Sequence, residues 1–220
     1  MRKKVQQIAT FTIRKKSTSQ SCSSFQLVLS KGSILDFQHP KGAIVNAANE
    51  GCLGGGGVDG AISDAGGRQL LQDRIALPKI QSKTGDCIRC LTGDATITGP
   101  NQYGTIGTPY VIHAVGPAYY MYDAFDEPDD LLSRAYGNAM QRAKEAQVEA
   151  VGFSLLSAGV FRGSGSRVGV LRLGIEAICC FDVHPELAEV HLFAFTQMEA
   201  DALLRAAELM KLTQDECMIR

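Results

Sequence analysis

No apolar run in this 220-residue chain approaches the roughly 20 residues that a bilayer-crossing helix needs. An apolar secretory core near the N-terminus is also missing, so export is not expected. Net charge is close to nil: 22 Lys and Arg against 23 Asp and Glu leave −1. That is too little for the phosphate-driven affinity of a DNA or RNA binder. Neither a membrane nor nucleic acid is therefore an expected partner. Acid is absent from residues 1–35, where seven Lys or Arg and many Ser and Thr occur. This opening (1–24) reads as a solvated tail or an added edge strand, since Val5–Ile13 has strand composition; an organellar transit peptide is the alternative. The expected location is intracellular, in cytoplasm or nucleus, with an organelle as the variant that the basic opening allows. Seven cysteines, an odd number, do not make a disulfide scaffold. Cys87 and Cys90 form a CxxC, but in a strand the two would face opposite sides. There is no second CxxC and no close histidine pair, so no metal is expected.

What is present is strand–helix alternation. Strands are expected at Phe25–Leu29, Ala43–Val45, Cys87–Leu91, Tyr110–Val115, Ala150–Leu155 and Glu189–Phe195. Helices are expected at about 128–146, 166–181 and 198–210. In the first of these, Leu132, Ala135, Ala139 and Ala143 recur at spacings of three and four, a single apolar stripe. Such alternation implies a largely parallel sheet covered on both faces, with ligands at the carboxyl ends of its strands. Residues 25–220 read as one domain. Asp94–Gly107 and Ala118–Asp130 read as surface loops.

The run from Asn46 to Gly60 stands out: Ala43-Ile44-Val45 feeds a strand into Asn46-Ala47-Ala48-Asn49, then four consecutive glycines, Gly54–Gly57, then Val58-Asp59-Gly60 and a small-residue helix. Bare glycine N–H groups between strand and helix can approach an anion, and the asparagines and Asp59 can hydrogen-bond a sugar. A P-loop is excluded, because Val58-Asp59 stand where Lys-Ser or Lys-Thr would meet the terminal phosphates. Gly55, Gly57 and Gly60 satisfy GxGxxG formally. However, the acid that a dinucleotide fold places at the end of the next strand has only Asp73 as a candidate, within helical sequence. A second strand-to-turn unit, Gly152–Gly163, suggests two backbone cradles on one diphosphate, with no lysine required.

Together with Lys31-Gly32-Ser33-Ile34, Thr92-Gly93-Asp94-Ala95, Tyr110–Pro117 and Ser157–Phe161, these segments resemble the macrodomain family, its MacroD-type branch in particular, over about residues 25–212. The resemblance implies a three-layer α/β/α sandwich around a mixed, largely parallel sheet of six or seven strands. It further implies an ADP-ribose cleft, with hydrolysis of ADP-ribosyl esters on protein carboxylates or of O-acetyl-ADP-ribose; a non-catalytic ADP-ribose reader is the alternative. Partners would be ADP-ribose, an ADP-ribosylated protein or O-acetyl-ADP-ribose, with the chain a monomer and no metal or organic cofactor. By resemblance Asn49 and Asp59 are the catalytic pair, Asn49 on the distal ribose and Asp59 on a water. Ser33, Ile34, Ala48, Gly56, Gly57, Val58, Ser157, Ala158, Gly159, Val160 and Phe161 complete the ligand contacts. Four positions depart from the family pattern. Ser33 stands for an aspartate at the adenine, Ser63 for a histidine four residues after Asp59, Leu155 for a proline and Arg162 for a glycine. Arg162 would either add charge near phosphate or crowd the turn. His113 reads as a buried strand histidine rather than a base.

Overall fold

In the computed structural model, residues 5–15, 23–81, 87–212 and 217–219 are described. The chain runs β1 (Gln6–Lys15), β2 (Ser23–Lys31), β3 (Gly42–Ala47), α1 (Gly57–Ala76), β4 (Ile80–Gln81), β5 (Cys87–Ile88), β6 (Ala95–Thr98) and β7 (Tyr110–Ala114). It continues through α2 (Asp126–Glu145), β8 (Ala150–Ser154), α3 (Arg167–Cys180), β9 (Glu189–Ala194), α4 (Gln197–Leu209) and β10 (Cys217–Ile219). Eight strands form one mixed sheet in the order β10-β1-β2-β9-β8-β3-β7-β6. The run from β2 through β9, β8, β3 and β7 is parallel; β1 on β2 and β6 on β7 are antiparallel. Parallel strands need crossovers, and the helices supply them.

Both faces of the sheet are covered, which is why its central strands are mostly apolar, with Asn46, His113 and Ser154 as buried polar exceptions. Along β3, Ala43 and Val45 face a core built with α2, α3 and α4. Ile44 faces the other side, where Ile62 and Leu70 of α1 pack with Ile34 and Val111. The stripe expected on α2 is buried and includes Tyr136, which stacks on Phe153 of β8 at 5.5 Å. Asp126, Glu127 and Asp129 in its first turn and Arg142 and Lys144 in its last complement the helix dipole. The architecture is the expected α/β/α sandwich. Among the described residues no helix is long and apolar enough to cross a membrane.

Two expectations about local structure fail. Cys87–Leu91 is not a strand through its length: only Cys87–Ile88 pairs, with Ile80–Gln81. The N–H groups of Arg89 and Cys90 instead donate to the carbonyl of Glu50, at 2.8 and 3.2 Å. Within Asp94–Gly107, expected as a loop, Ala95–Thr98 extends the sheet as β6, its Thr side chains suiting a strand against β7. Part of the basic opening is built into the sheet as β1, along the whole of β2.

One backbone break positions the site. Helix α1 is interrupted at Gly67, whose φ of 60° and ψ of −153° lie outside any helix. A straight α-helix would place residues 59 and 74 about 22 Å apart. The break turns the second half of α1 back, so that Arg74 reaches Asp59. It also frees the Ala65 carbonyl, which accepts the Thr105 N–H at 2.9 Å. Gly104 lies against that carbonyl with φ of 47°, and a Cβ there would stand 2.1 Å from the Ala65 oxygen. Gly104→Ala is therefore expected to lower stability by about 1–3 kcal/mol, read as a lower urea midpoint.

Candidate functional site

A cleft of about 710 Å³ opens at the carboxyl ends of β2, β9, β8 and β3, within the size range of small-molecule sites. Its middle lies between two turns. On one side is Gly55–Gly57, leading into α1. The N-cap of that helix is Gly56, with no side-chain cap, so the first N–H groups of the helix have no side-chain acceptor. A Cβ at Gly56 or Gly57 would meet nothing within 4 Å, so glycine there leaves room for a ligand rather than for protein. On the other side, Ser157, Gly159, Val160 and Phe161 line the cleft. The Ser157 backbone has φ of 52°, and its hydroxyl donates to the Pro117 carbonyl at 2.8 Å. Val160 is 85% exposed, and Phe161 meets the ring of Tyr120 edge-on at 6.4 Å.

Most of the expected ligand residues are brought together: Ser33, Ile34, Ala48, Asn49, Gly56, Gly57, Val58, Asp59, Ser157, Gly159, Val160 and Phe161 all line this cleft. Ala158 does not; it is 2% exposed and packs in the main core. Arg162 neither adds charge to the cleft nor crowds the turn. The positive φ falls on Gly163, and the Arg162 guanidinium donates to the Gly165 carbonyl. The GxGxxG acid is also accounted for: Asp73 lies in α1 and accepts from the Tyr103 hydroxyl at 2.6 Å.

Asp59 sits at the third residue of α1, 3% exposed, and is fixed from behind. Its Oδ1 accepts from Asn46 Nδ2 at 2.8 Å and from an Arg74 nitrogen at 3.2 Å. The other terminal nitrogen of Arg74 donates to Ser63 Oγ at 2.7 Å, and Ser63 donates to the Asp59 carbonyl at 2.7 Å. Arg74 is 1% exposed; burial pulls its guanidinium below the usual range, and Asp59 pushes the other way. Asp59 Oδ2 has no partner among the described residues. A Cβ on Gly55 would stand 3.2 Å from it and 3.1 Å from Asn49 Nδ2. Those two polar atoms thus flank one point beside the glycine turn. Asn49 also shapes the turn, donating to the Gly54 carbonyl at 2.9 Å and accepting the Gly51 N–H at 3.1 Å.

Asn46 is fully buried behind Asp59 and is not among the cleft residues, because a strand alternates its side chains. Behind it lies His113, 0% exposed, 3.4 Å from Asn46 Nδ2 and 3.1 Å from Thr98 Oγ1. The amide is a donor, so His113 Nδ1 accepts and Nε2 carries the proton. Burial, with Arg74 nearby, holds His113 well below a histidine's usual 6.5. It is a neutral support for Asn46, with no path to the cleft. Cys52 and Cys90 are free, buried thiols: Cys52 donates to the Asn49 carbonyl at 3.4 Å and Cys90 to the His113 carbonyl at 3.8 Å, and their proximity lowers the first thiol and raises the second. Among the described residues no three His, Cys, Asp or Glu side chains gather as a metal site.

The far end of the cleft, beyond β8, is framed by Ser33, Ile34, Phe195 and Glu199. Ser33 caps the turn Ile34–Asp36, accepting the Leu35 N–H at 3.3 Å. Glu199 is the third residue of α4 and closes a capping box with Thr196. Arg74 and Glu199 were not legible as site residues. The break at Gly67 hides the first, and the second carries only a helix-start signal, Thr-x-x-Glu.

An α/β sandwich with two facing turns, a helix N-terminus and, among the described residues, no Lys or Arg lining the cleft offers backbone N–H groups as the means of holding an anion. The family model for the macro domain matches residues 45–168. A macro domain-containing protein of Caldanaerobacter subterraneus is 34% identical over 83% of this chain and 96% of its own length. O-acetyl-ADP-ribose deacetylase 1 of Pantoea vagans is 36% identical over 74% of this chain and 88% of its own. A macrodomain of Trypanosoma brucei, solved with ADP-ribose, superposes with a TM-score of 0.67 at 27% identity, covering 82% of this chain and 68% of that one. The chain belongs to the macro domain family.

Two measurements check the network. Arg74→Met would leave Asp59 buried without its countercharge and is expected to cost about 3–5 kcal/mol in chemical denaturation. In the unfolded chain His113 takes a proton near pH 6.5, and in the folded one only well below that. Its share of stability is thus complete above pH 6.5 and is lost as the pH falls through and below it. Urea midpoints followed from about pH 8 to about pH 5 should fall less steeply in His113→Gln than in the unaltered protein.

Proposed function

We propose that the protein binds ADP-ribose in this cleft and hydrolyses ADP-ribosyl esters, either on aspartate or glutamate side chains of proteins or in O-acetyl-ADP-ribose. The diphosphate would lie between Gly56–Val58 and Ser157–Phe161, neutralised by backbone N–H groups and the start of α1. The distal ribose would meet Asn49 and Asp59, with Phe161 beside it. The observation that carries the reading is Asp59 Oδ2: a buried carboxylate oxygen, unpartnered, at the edge of the cleft. Such an oxygen calls for a donor, and a water or a ribose hydroxyl supplies one.

In the reaction, a water accepted by Asp59 Oδ2 adds to the ester carbonyl or to the ribose carbon. In the first case the acyl C–O bond breaks and the departing ribose oxygen takes the proton from water; in the second the ribose C–O bond breaks and the departing carboxylate takes it; in both a carboxylic acid and ADP-ribose leave. Arg74 and Asn46 act as positioning residues: they hold Oδ1, so that only Oδ2 faces the ligand. Binding energy from the diphosphate and nucleoside fixes the reacting sugar.

A second reading, a non-catalytic reader, is favoured by Ser63. Its hydroxyl is committed to the Asp59 carbonyl and to Arg74, and among the described residues no histidine borders the cleft. One experiment separates the two. With glutamate-ADP-ribosylated protein as substrate, the hydrolase reading expects release of ADP-ribose, reduced about a hundredfold or more in Asp59→Asn, while calorimetric binding of ADP-ribose is largely kept. Binding without release by the unaltered protein would establish the reader. Release that is unaffected by Asp59→Asn would remove Asp59 from the chemistry.

A further inference from the structure

Two charged side chains line the cleft among the described residues, and they stand on either side of β8. Asp59 belongs to the glycine-turn side. Glu199 belongs to the β9–α4 side, and nothing in the proposed chemistry uses it. We propose that Glu199 selects the nucleobase: one of its carboxylate oxygens accepts the exocyclic amine of adenine and so rejects a base that carries a carbonyl there. This rests on the ADP-ribose reading.

The carboxylate is held in a fixed pose by its own helix start. Oε2 accepts the N–H of Phe195 at 2.9 Å, the N–H of Thr196 at 2.8 Å and the Thr196 hydroxyl at 3.1 Å. Oε1 takes none of these three bonds, and the residue borders the cleft. An ionised carboxylate only accepts, so the group that suits Oε1 is a donor. With the diphosphate between the two glycine turns and the ribose at Asn49, the nucleoside is left with the end that holds Ser33, Ile34, Phe195 and Glu199. Phe195 offers a ring that is 75% exposed, a surface on which a base can lie. Ser33 Oγ already accepts from Leu35, so its proton is left to donate to a ring nitrogen. A donor from Ser33 and an acceptor from Glu199 match the acceptor N1 and donor amine of adenine. In hypoxanthine both are reversed: N1 carries a proton, and a carbonyl oxygen would face the carboxylate. A site that pairs a polar group discriminates against its mismatch; Ser33 and Glu199 are half-buried, so the penalty is moderate rather than that of a fully buried pair.

The same cap makes the substitution informative. In Glu199→Gln the amide oxygen must stay on the two backbone N–H donors of residues 195 and 196, since the NH₂ group cannot accept them. The NH₂ then takes the place of Oε1, and the acceptor becomes a donor while the cap survives. Calorimetric titrations would use ADP-ribose, its hypoxanthine analogue and its N6-dimethyl analogue. Expected for the unaltered protein is a preference for ADP-ribose over both analogues of about tenfold or more. Expected for Glu199→Gln is unchanged thermal melting, weaker ADP-ribose binding, tighter binding of the hypoxanthine analogue and a preference that collapses or inverts. Equal affinity of the unaltered protein for all three ligands overturns the proposal by itself, whatever the variant does, and leaves the ADP-ribose reading standing. A preference that persists undiminished in Glu199→Gln also overturns it. If the unaltered protein binds none of the three, the ADP-ribose reading fails and this proposal with it.

Discussion

The ion pair between Asp59 and Arg74 is the constraint on which the site depends. Both side chains are withdrawn from water, and neither could stand there alone, because an unpaired buried charge costs several kcal/mol. Their meeting requires α1 to double back, and α1 can do so because Gly67 takes a backbone conformation that side-chain-bearing residues avoid. The pair therefore ties a backbone irregularity to the direction of one carboxylate oxygen. Asn46 and the neutral His113 behind it complete a buried polar chain, in which the histidine supports rather than reacts. The bonds between its members fix the side chains in place, while Asp59 Oδ2 is left without a partner among the described residues.

In front of that support the cleft is almost uncharged. Among the described residues it is lined by backbone N–H groups and the start of α1 rather than by lysine or arginine, an arrangement that under the proposed reading would meet an anion. A backbone cradle recognises shape as well as charge, since its donors cannot rearrange as a flexible ammonium group does. The two carboxylates, Asp59 and Glu199, are each pinned by one oxygen, to Arg74 and to a helix cap. In each the second oxygen takes no part in that anchoring.

Much of this was legible in the chain. The apolar stripe from Leu132 to Ala143 identified α2, because a buried helix face must repeat every three to four residues. The fully apolar Ala43–Val45 identified a central strand, because both sheet faces are covered. The glycine run and Ser157–Phe161 were recognised as the two turns, and both line the one cleft. Short elements were less legible: Ala95–Thr98 looked like loop because its four residues carry little periodicity, and Cys87–Leu91 looked like strand although Glu50 diverts its N–H groups. Asn46 was read as facing a sugar. Alternation along β3 turns it inward, and no composition rule says which of two asparagines three residues apart will face the ligand.

The sequence by itself determined the family, the sandwich and the chemical character of the cleft, because hydrophobic period, glycine clusters and the absence of a lysine are local properties of a chain. Only the tertiary structure decided the partners of each polar atom. Arg74 is fifteen residues from Asp59, and Glu199 is far along the chain from Ser33; contacts over such separations depend on a helix break and on strand order, which no local pattern encodes.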